Sequence, residues 1–190
     1  IKARQLAKEN GLPIIPGTLK ATTLNEAIIF FKSLPSDSKM MIKALSGGGG
    51  RGMRLVNSVE DISEAYNRCQ SEAKKAYGDD KLYVEKYIPI ARHIEVQILG
   101  DGKAISHLWE SECSVQRRHQ KILEIAPCPN ISLDSRKKIT DAAVKLAKSI
   151  QYENVGTFEF LVEGTHLKEN SPFYFLEANP RIQVEHTVTE

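Results

Sequence analysis

Over the first ninety residues, apolar positions switch between helical and strand spacing in short stretches. Residues 1–10 read as a helix closed by Asn10-Gly11, after which Pro13 and Pro16 force an extended connection. Thr23 followed by Glu26 is a capping-box pattern ahead of the run AIIFF and predicts a helix to about Leu34. MMIKAL (40–45) predicts a short strand running into four glycines, and MRLVN a returning strand. Ser58 stands where a cap is expected for a long amphipathic helix with Ile62, Ala65, Tyr66 and Cys69 on its apolar side. LYVEKY (82–87) predicts one more strand.

The pattern then changes. RHIEVQIL alternates, with Ile94, Val96 and Ile98 on one face and His93, Glu95 and Gln97 on the other. Gly100-Asp101-Gly102-Lys103 reads as a tight turn, and KAISHLWE returns antiparallel. The polar stretch after it reads as irregular. KILEIA predicts a strand and Ser132 to Ile150 a strong helix; GTFEFLVE and FYFLEAN are strands joined by the loop GTHLKENSP. Helices on one side of a mostly antiparallel sheet make an α+β fold. No internal repeat or low-complexity tract interrupts it.

Composition narrows the class. Hydrophobic residues make up 41% of the 190 positions and charged residues 26%, the balance of a globular protein. A net charge of +2 gives no strong field toward nucleic acid or membrane, and no apolar run approaches the roughly 18 residues of a membrane span. Cys69, Cys113 and Cys128 are odd in number and widely spaced, which suits free thiols in a reducing compartment. The opening IKARQLAKENG lacks the apolar core of a signal peptide, and HTVTE stops without a closing element. The expectation is an excised piece of a longer chain.

Four segments carry candidate chemistry. In SGGGGRGMR (46–54), consecutive glycines let backbone N–H groups converge on an anion, with Lys43 on the preceding strand as the cation. No Lys-Ser or Lys-Thr follows the glycines, so this is no Walker A loop; a plain flexible linker is the bland alternative. Glu159 and Glu177 each interrupt an apolar strand, and a buried carboxylate must pair with a cation or bind metal. On neighbouring strands the two would stand side by side, a hard oxygen pair suited to Mg²⁺, or each would meet a structural Lys or Arg. In NPRIQVEH (179–186), Arg181, Gln183 and Glu185 share one parity and would face one side of an extended segment, a donor fork beside a base. QRRHQK (116–121) is the densest cationic run and reads as a solvated face; it lacks the aromatic interleaving of a nucleic-acid site. Trp109 and His107 read as packing residues.

KALSGGGGRGMR, VEKYIPIARHIEVQILGDG, CSVQRRHQK, GTFEF and FLEANPRIQVEHTVTE, in this order, resemble the biotin carboxylase family of ATP-grasp enzymes, from Leu12 onward. RIQVEHTVTE and RHIEVQILGD are most similar to its pyruvate carboxylase branch, with acyl-CoA carboxylases and urea amidolyases as alternatives. The resemblance implies an ATP-grasp fold: the end of a preceding subdomain over 1–14, a glycine-loop lid over 15–87 and an antiparallel-sheet catalytic half over 88–190. By match to the family, Lys43 and Gly47, Gly48, Gly49 and Gly50 would hold ATP phosphates. Glu85, Lys86 and Ile88 would lie at the adenine, and His93, with Gln116 and His119, would complete the ATP contacts. Glu159, Glu177 and Asn179 would bind Mg²⁺ or Mn²⁺. Lys121, Arg181, Gln183 and the backbone of Val184 would hold bicarbonate, with Glu185 as its base. Biotin would be the carried substrate.

The implied partners are biotin carboxyl carrier and carboxyltransferase domains in a homo-oligomeric parent, in the cytoplasm or mitochondrial matrix. Rival expectations are another ATP-grasp ligase, such as the carbamoyl phosphate synthetase large subunit, and a non-catalytic nucleotide-binding module that keeps the fold. The chain departs from the family pattern in places. Ser111-Glu112 stands where Arg-Asp is usual, Leu45 and Ser46 replace smaller or aromatic residues before the glycines, and GTHLKENSP is longer than usual. The family's first ATP-binding lysine would precede Ile1, and an arginine expected beyond HTVTE is outside the chain.

Overall fold

The computed structural model describes residues 1–47, 51–117 and 120–189. They fall into two compact units, one of residues 15–89 with Ile1 and Gln120, the other of 2–14, 90–117 and 121–189. The fold class is α+β, and the strand pairs β1–β2, β1–β3, β4–β5, β4–β7 and β7–β8, numbered in chain order as below, are all antiparallel.

The first helix, α1 (Lys2–Glu9), belongs to the second unit. In the first unit, α2 (Leu24–Ser33) begins with the expected capping box: Thr23 Oγ1 accepts from Glu26 N, and the Glu26 carboxylate accepts from Thr23 N at 2.8 Å. Then follow β1 (Met40–Ala44), β2 (Met53–Val56), α3 (Ile62–Tyr77) and β3 (Leu82–Lys86), with sheet order β2-β1-β3. Met40, Ile42 and Val84 from the sheet pack with Ala27 of α2 and Ile62, Tyr66, Cys69 and Ala73 of α3. The expected Ser58 cap is absent. Residues 58–61 form a turn, the Ser58 hydroxyl bonds the Glu60 carboxylate, and Asp61 is the N-cap without a side-chain cap bond.

The second unit holds β4 (Ala91–Gly100), β5 (Ile105–Arg117), β6 (Gln120–Ile125), α4 (Leu133–Ser149), β7 (Val155–Glu163), β8 (Phe173–Asn179) and the short α5 (His186–Thr189). Its sheet runs β6-β5-β4-β7-β8. One face is apolar: Ile94, Val96, Ile98, Phe158, Phe160 and Phe175 share a core with Ile139, Ala143, Leu146 and Ala147 of α4 and Ala7 of α1. Ser132 caps α4 by accepting from Ser135 N at 3.1 Å. Gly156 is required at the β7–β8 contact, because a Cβ there would lie 2.6 Å from Asn179 O.

Two segments differ from the sequence expectation. The polar stretch after Trp109 is regular strand through Arg117, because its backbone groups are paired in the sheet and local polarity does not decide strand formation there. Residues 181–185 bend through a turn into α5 and do not run extended. Trp109 is 58% exposed at a positive φ of 63°, its ring edge-on to His107 and 5.6 Å beneath the Arg136 guanidinium, so it lies on the surface and outside the core. No helix among the described residues is long and apolar enough to cross a membrane.

Phe160 is fully buried between Phe173 and Phe175. Phe160→Ala should lower stability by about 3–5 kcal/mol, the range for deleting a buried aromatic ring. Urea unfolding followed by circular dichroism measures it.

Candidate functional site

In the first unit the groups follow from strand register. Lys43 on β1 pairs with Tyr83 and Met41 with Glu85 on β3, so Lys43 and Glu85 are diagonal neighbours on one face. Their side chains form an ion pair with only 14% and 4% exposure. Lys86 N donates to Pro16 O at 2.8 Å and Ile88 is half-buried after the strand. Gly47 N donates to Ala44 O, and a Cβ at Gly47 would lie 3.0 Å from Ala44 Cβ, so this first glycine fits where a larger residue would crowd the turn. The replaced Ser46 has its own place: its hydroxyl donates to Asp79 Oδ2 at 2.9 Å, and Leu45 N donates to Lys81 O. Gly48, Gly49, Gly50 and His119 lie outside the described residues.

In the second unit the polar face of the sheet carries the chemistry. Register places Glu95 of β4 opposite Glu159 of β7, and Glu159 opposite Glu177 of β8. Three carboxylates therefore stand in one row across three strands. Glu95 and Glu159 are buried at 1% and 2% exposure; Glu177 is exposed. Like charges placed opposite one another repel, and buried ones need cations. Lys121, from β6, supplies one. Its Nζ contacts Glu95, lies 3.1 Å from Glu159 Oε1 and 3.6 Å from Glu185 Oε1. His93 Nε2 lies 2.6 Å from Glu159 Oε2, while its Nδ1 meets Gln116 Nε2 at 2.8 Å. Asn179 Nδ2 donates to Glu159 Oε1 at 2.6 Å.

These partners set the titration of the row. Burial drives the Glu159 pKa upward, but the His93 hydrogen bond and charge, with Lys121, outweigh it and hold the carboxyl below its ordinary value. Burial, then the neighbouring Glu159 charge, pushes the Glu95 carboxyl up to about 7. Burial also works against the Lys121 charge, yet Glu159 and Glu95 together raise its pKa.

The last segment is only partly assembled as its parity suggests. Gln183 Oε1 accepts from Thr157 Oγ1, and Glu185 is half-buried beside Lys121. Arg181 is exposed, its Nη1 donating to Ile182 O at 3.1 Å, and Val184 is 85% exposed. The turn at 184–185 explains this, since a bent backbone no longer holds alternate side chains on one face. Lys121, read as part of a solvated cationic run, is instead drawn into the carboxylates. Sequence reasoning missed Glu95 as a site residue. The signal was available: it shares parity with His93 on a strand whose opposite face is apolar.

The donor set fits a hard divalent cation. Carboxylate oxygens dominate it, and among the described residues His93, Glu95 and Glu159 bring ligand atoms within 4.8 Å of one another. Glu177 and Asn179 flank the same carboxylate on β8.

The family model described as "Carbamoyl-phosphate synthase L chain, ATP binding domain" matches residues 1–190. The chain belongs to this family. It is an ATP-grasp domain of the biotin carboxylase type. Pyruvate carboxylase of Bacillus subtilis (strain 168) is 50% identical over 191 residues, covering 100% of this chain and 16% of that protein. A biotin carboxylase from Campylobacter jejuni, solved as a β,γ-ATP complex, is 44% identical with a TM-score of 0.92, covering 99% of this chain and 41% of that one. The biotin carboxylase domain of Hydrogenobacter thermophilus 2-oxoglutarate carboxylase, solved with MgADP, ADP and bicarbonate, is 39% identical with a TM-score of 0.90, covering 99% of this chain and 40% of that one. The domain thus spans 16% of the length of its curated relative.

The raised Glu95 pKa has a signed consequence. The folded value lies above the ordinary 4.5, so Glu95 contributes stability that is complete below that value and lost as pH rises through about 7. Glu95→Gln should therefore flatten the fall in Tm between about pH 5 and pH 8. Thermal scans across that range, compared with wild type, measure the change in slope.

Proposed function

We propose that the domain carries out ATP-dependent carboxylation of biotin by bicarbonate, through carboxyphosphate, as part of a larger pyruvate carboxylase-like protein. The observation that carries this reading is Glu185 standing 3.6 Å from Lys121, within the same group as the Glu95–Glu159 row. A carboxylate base beside a cation is what bicarbonate needs, because it is a poor nucleophile until its proton is removed. The carboxylase relatives support the same reading.

In the first step Glu185 takes the bicarbonate proton. The freed oxygen attacks the γ-phosphorus of ATP, the bond to the β–γ bridging oxygen breaks, and ADP leaves. Carboxyphosphate then breaks down to phosphate and CO₂; the phosphate takes the N1′ proton of biotin as N1′ bonds the CO₂ carbon. Lys121 holds bicarbonate with Gln183, the backbone of Val184 and Arg181, whose guanidinium must turn from Ile182 O to do so. Lys43, the glycines from Gly47, Glu85, Lys86, Ile88, His93, Gln116 and His119 provide the ATP contacts. Glu159, Glu177 and Asn179 would hold Mg²⁺ or Mn²⁺, which would offset charge on the transferring phosphoryl group.

A carboxyl carrier and a carboxyltransferase are the partners this chemistry requires, in a homo-oligomeric parent. The three free cysteines, all buried, suit the cytoplasm or mitochondrial matrix. The matching family is named for carbamoyl phosphate synthase, which keeps another ATP-grasp ligase as the second reading.

Two measurements on the full-length protein test the proposal. Glu185→Gln keeps the side-chain shape but cannot take the proton. It should cut bicarbonate-dependent ATPase activity by roughly 100-fold or more, with ATP affinity held within about twofold. Normal bicarbonate stimulation in that variant would remove Glu185 from the mechanism. Separately, Glu159→Gln should weaken Mg²⁺-dependent nucleotide binding far more than metal-free binding, read by titration calorimetry. An unchanged Mg²⁺ response with a lower Tm would make the carboxylate structural.

A further inference from the structure

His93 is held at three points. Glu159 and Gln116 fix its two ring nitrogens, and its backbone N–H donates to Ser114 Oγ at 2.9 Å. The third contact is unusual for a strand. The β4–β5 register ends at Ile94↔Glu112, and one residue further along a side-chain hydroxyl takes the N–H that a carbonyl would otherwise accept.

That hydroxyl is itself aimed. Ser114 Oγ has one proton, and it donates it to Glu112 Oε1 at 2.7 Å, which leaves its lone pairs for His93 N. Glu112 is in turn gripped by Arg92, whose Nε donates to Oε1 at 2.6 Å and whose Nη2 meets Oε2. Arg92 Nη2 also donates to Pro129 O at 2.8 Å and lies 3.4 Å from Cys128 Sγ. Both side chains of the ion pair are 11% exposed. Arg92 and His93 are consecutive, so the network closes on itself: side chain of 92, Glu112, Ser114, main chain of 93. Alternation along β4 sends the Arg92 and His93 side chains to opposite faces. The hydroxyl thus links a buried ion pair on the apolar face to a residue of the polar face.

We infer that Ser114, oriented by the Arg92–Glu112 pair, is a positioning residue that sets where His93 presents its ring to the nucleotide and to Glu159. This rests on the proposed ATP-binding role of the polar face. It also gives a place to one half of the departure at Ser111-Glu112. Glu112 keeps the carboxylate that Arg92 needs, with reach enough to hold Ser114 as well. Ser111 takes no part; it is buried opposite Glu95, 3.9 Å from Cys113 Sγ.

The test uses the full-length protein, with Kd for Mg·ATP and the steady-state ATPase KM and kcat measured together with Tm. Removing Glu112 would leave Arg92 buried without a counter-ion and endanger folding, so Ser114 is the position to vary. Ser114→Val and Ser114→Thr differ by one hydroxyl within nearly the same volume. The Val variant should raise Kd and KM for ATP about three- to tenfold, the effect of one lost hydrogen bond. Its kcat should stay within about twofold, because no reacting atom is touched. The Thr variant should return both constants to within about twofold of wild type, and Ser114→Ala should behave like Val. Equal Kd for Thr and Val, whatever their Tm, would overturn the inference. A wild type that binds Mg·ATP but shows no bicarbonate-dependent ATPase would instead remove the carboxylase reading and leave this inference to the Kd comparison.

Discussion

The second unit is organised around one electrostatic problem. Glu95, Glu159 and Glu177 stand opposite one another on three adjacent strands, and two of them are buried. An isolated carboxylate at such depth would be too costly to keep ionised. Lys121 answers it from the far edge of the sheet, three strands from Glu159, where β6 and the long β5 deliver its ammonium to Glu95, Glu159 and Glu185. His93 and Asn179 take up the remaining Glu159 contacts. Charge is thereby concentrated on the polar face of the sheet, the face the proposed reaction would use.

The sheet can carry this load because its two faces are separated by strand alternation. Ile94, Val96, Ile98, Phe158 and Phe160 give one face to the α4 core, and that burial is the stabilising term. The intervening residues are then free to be chosen for chemistry. Arg92 and Glu112 are an exception, a charged pair on the apolar side like Glu110 with Arg136, and the Ser114 hydroxyl makes use of it from across the backbone.

The two units treat charge differently. In the first, Lys43 and Glu85 form a buried ion pair across neighbouring strands. In the second, one ammonium is shared among three carboxylates; burial, then the Glu159 charge, lifts Glu95 to about 7 beside a depressed Glu159. A shared cation can be redistributed when a ligand brings charge of its own.

Local pattern was enough for the elements whose cause is local. The Thr23–Glu26 box, the α3 stripe, the alternation of RHIEVQIL and the Ser132 cap are each written within a few residues, because hydrogen bonds three residues apart and periodic burial need no distant partner. The paired strands bearing Glu159 and Glu177 were legible for the same reason, as two short apolar runs joined by a loop. What depended on distant partners was decided by tertiary structure. Residues 111–117 are polar yet become strand because sheet neighbours complete their hydrogen bonds, and Ser58 loses its cap role to a turn that no propensity marks. Arg181, Gln183 and Glu185 share a parity, but the turn into α5 leaves Arg181 outside while Glu185 reaches Lys121. Lys121 itself sits in a run that looks solvated, and Glu95 on a strand that looks half-exposed. Only the stacking of β6, β5, β4 and β7 sets that cation against those carboxylates, because a charge finds its partner through space and not along the chain.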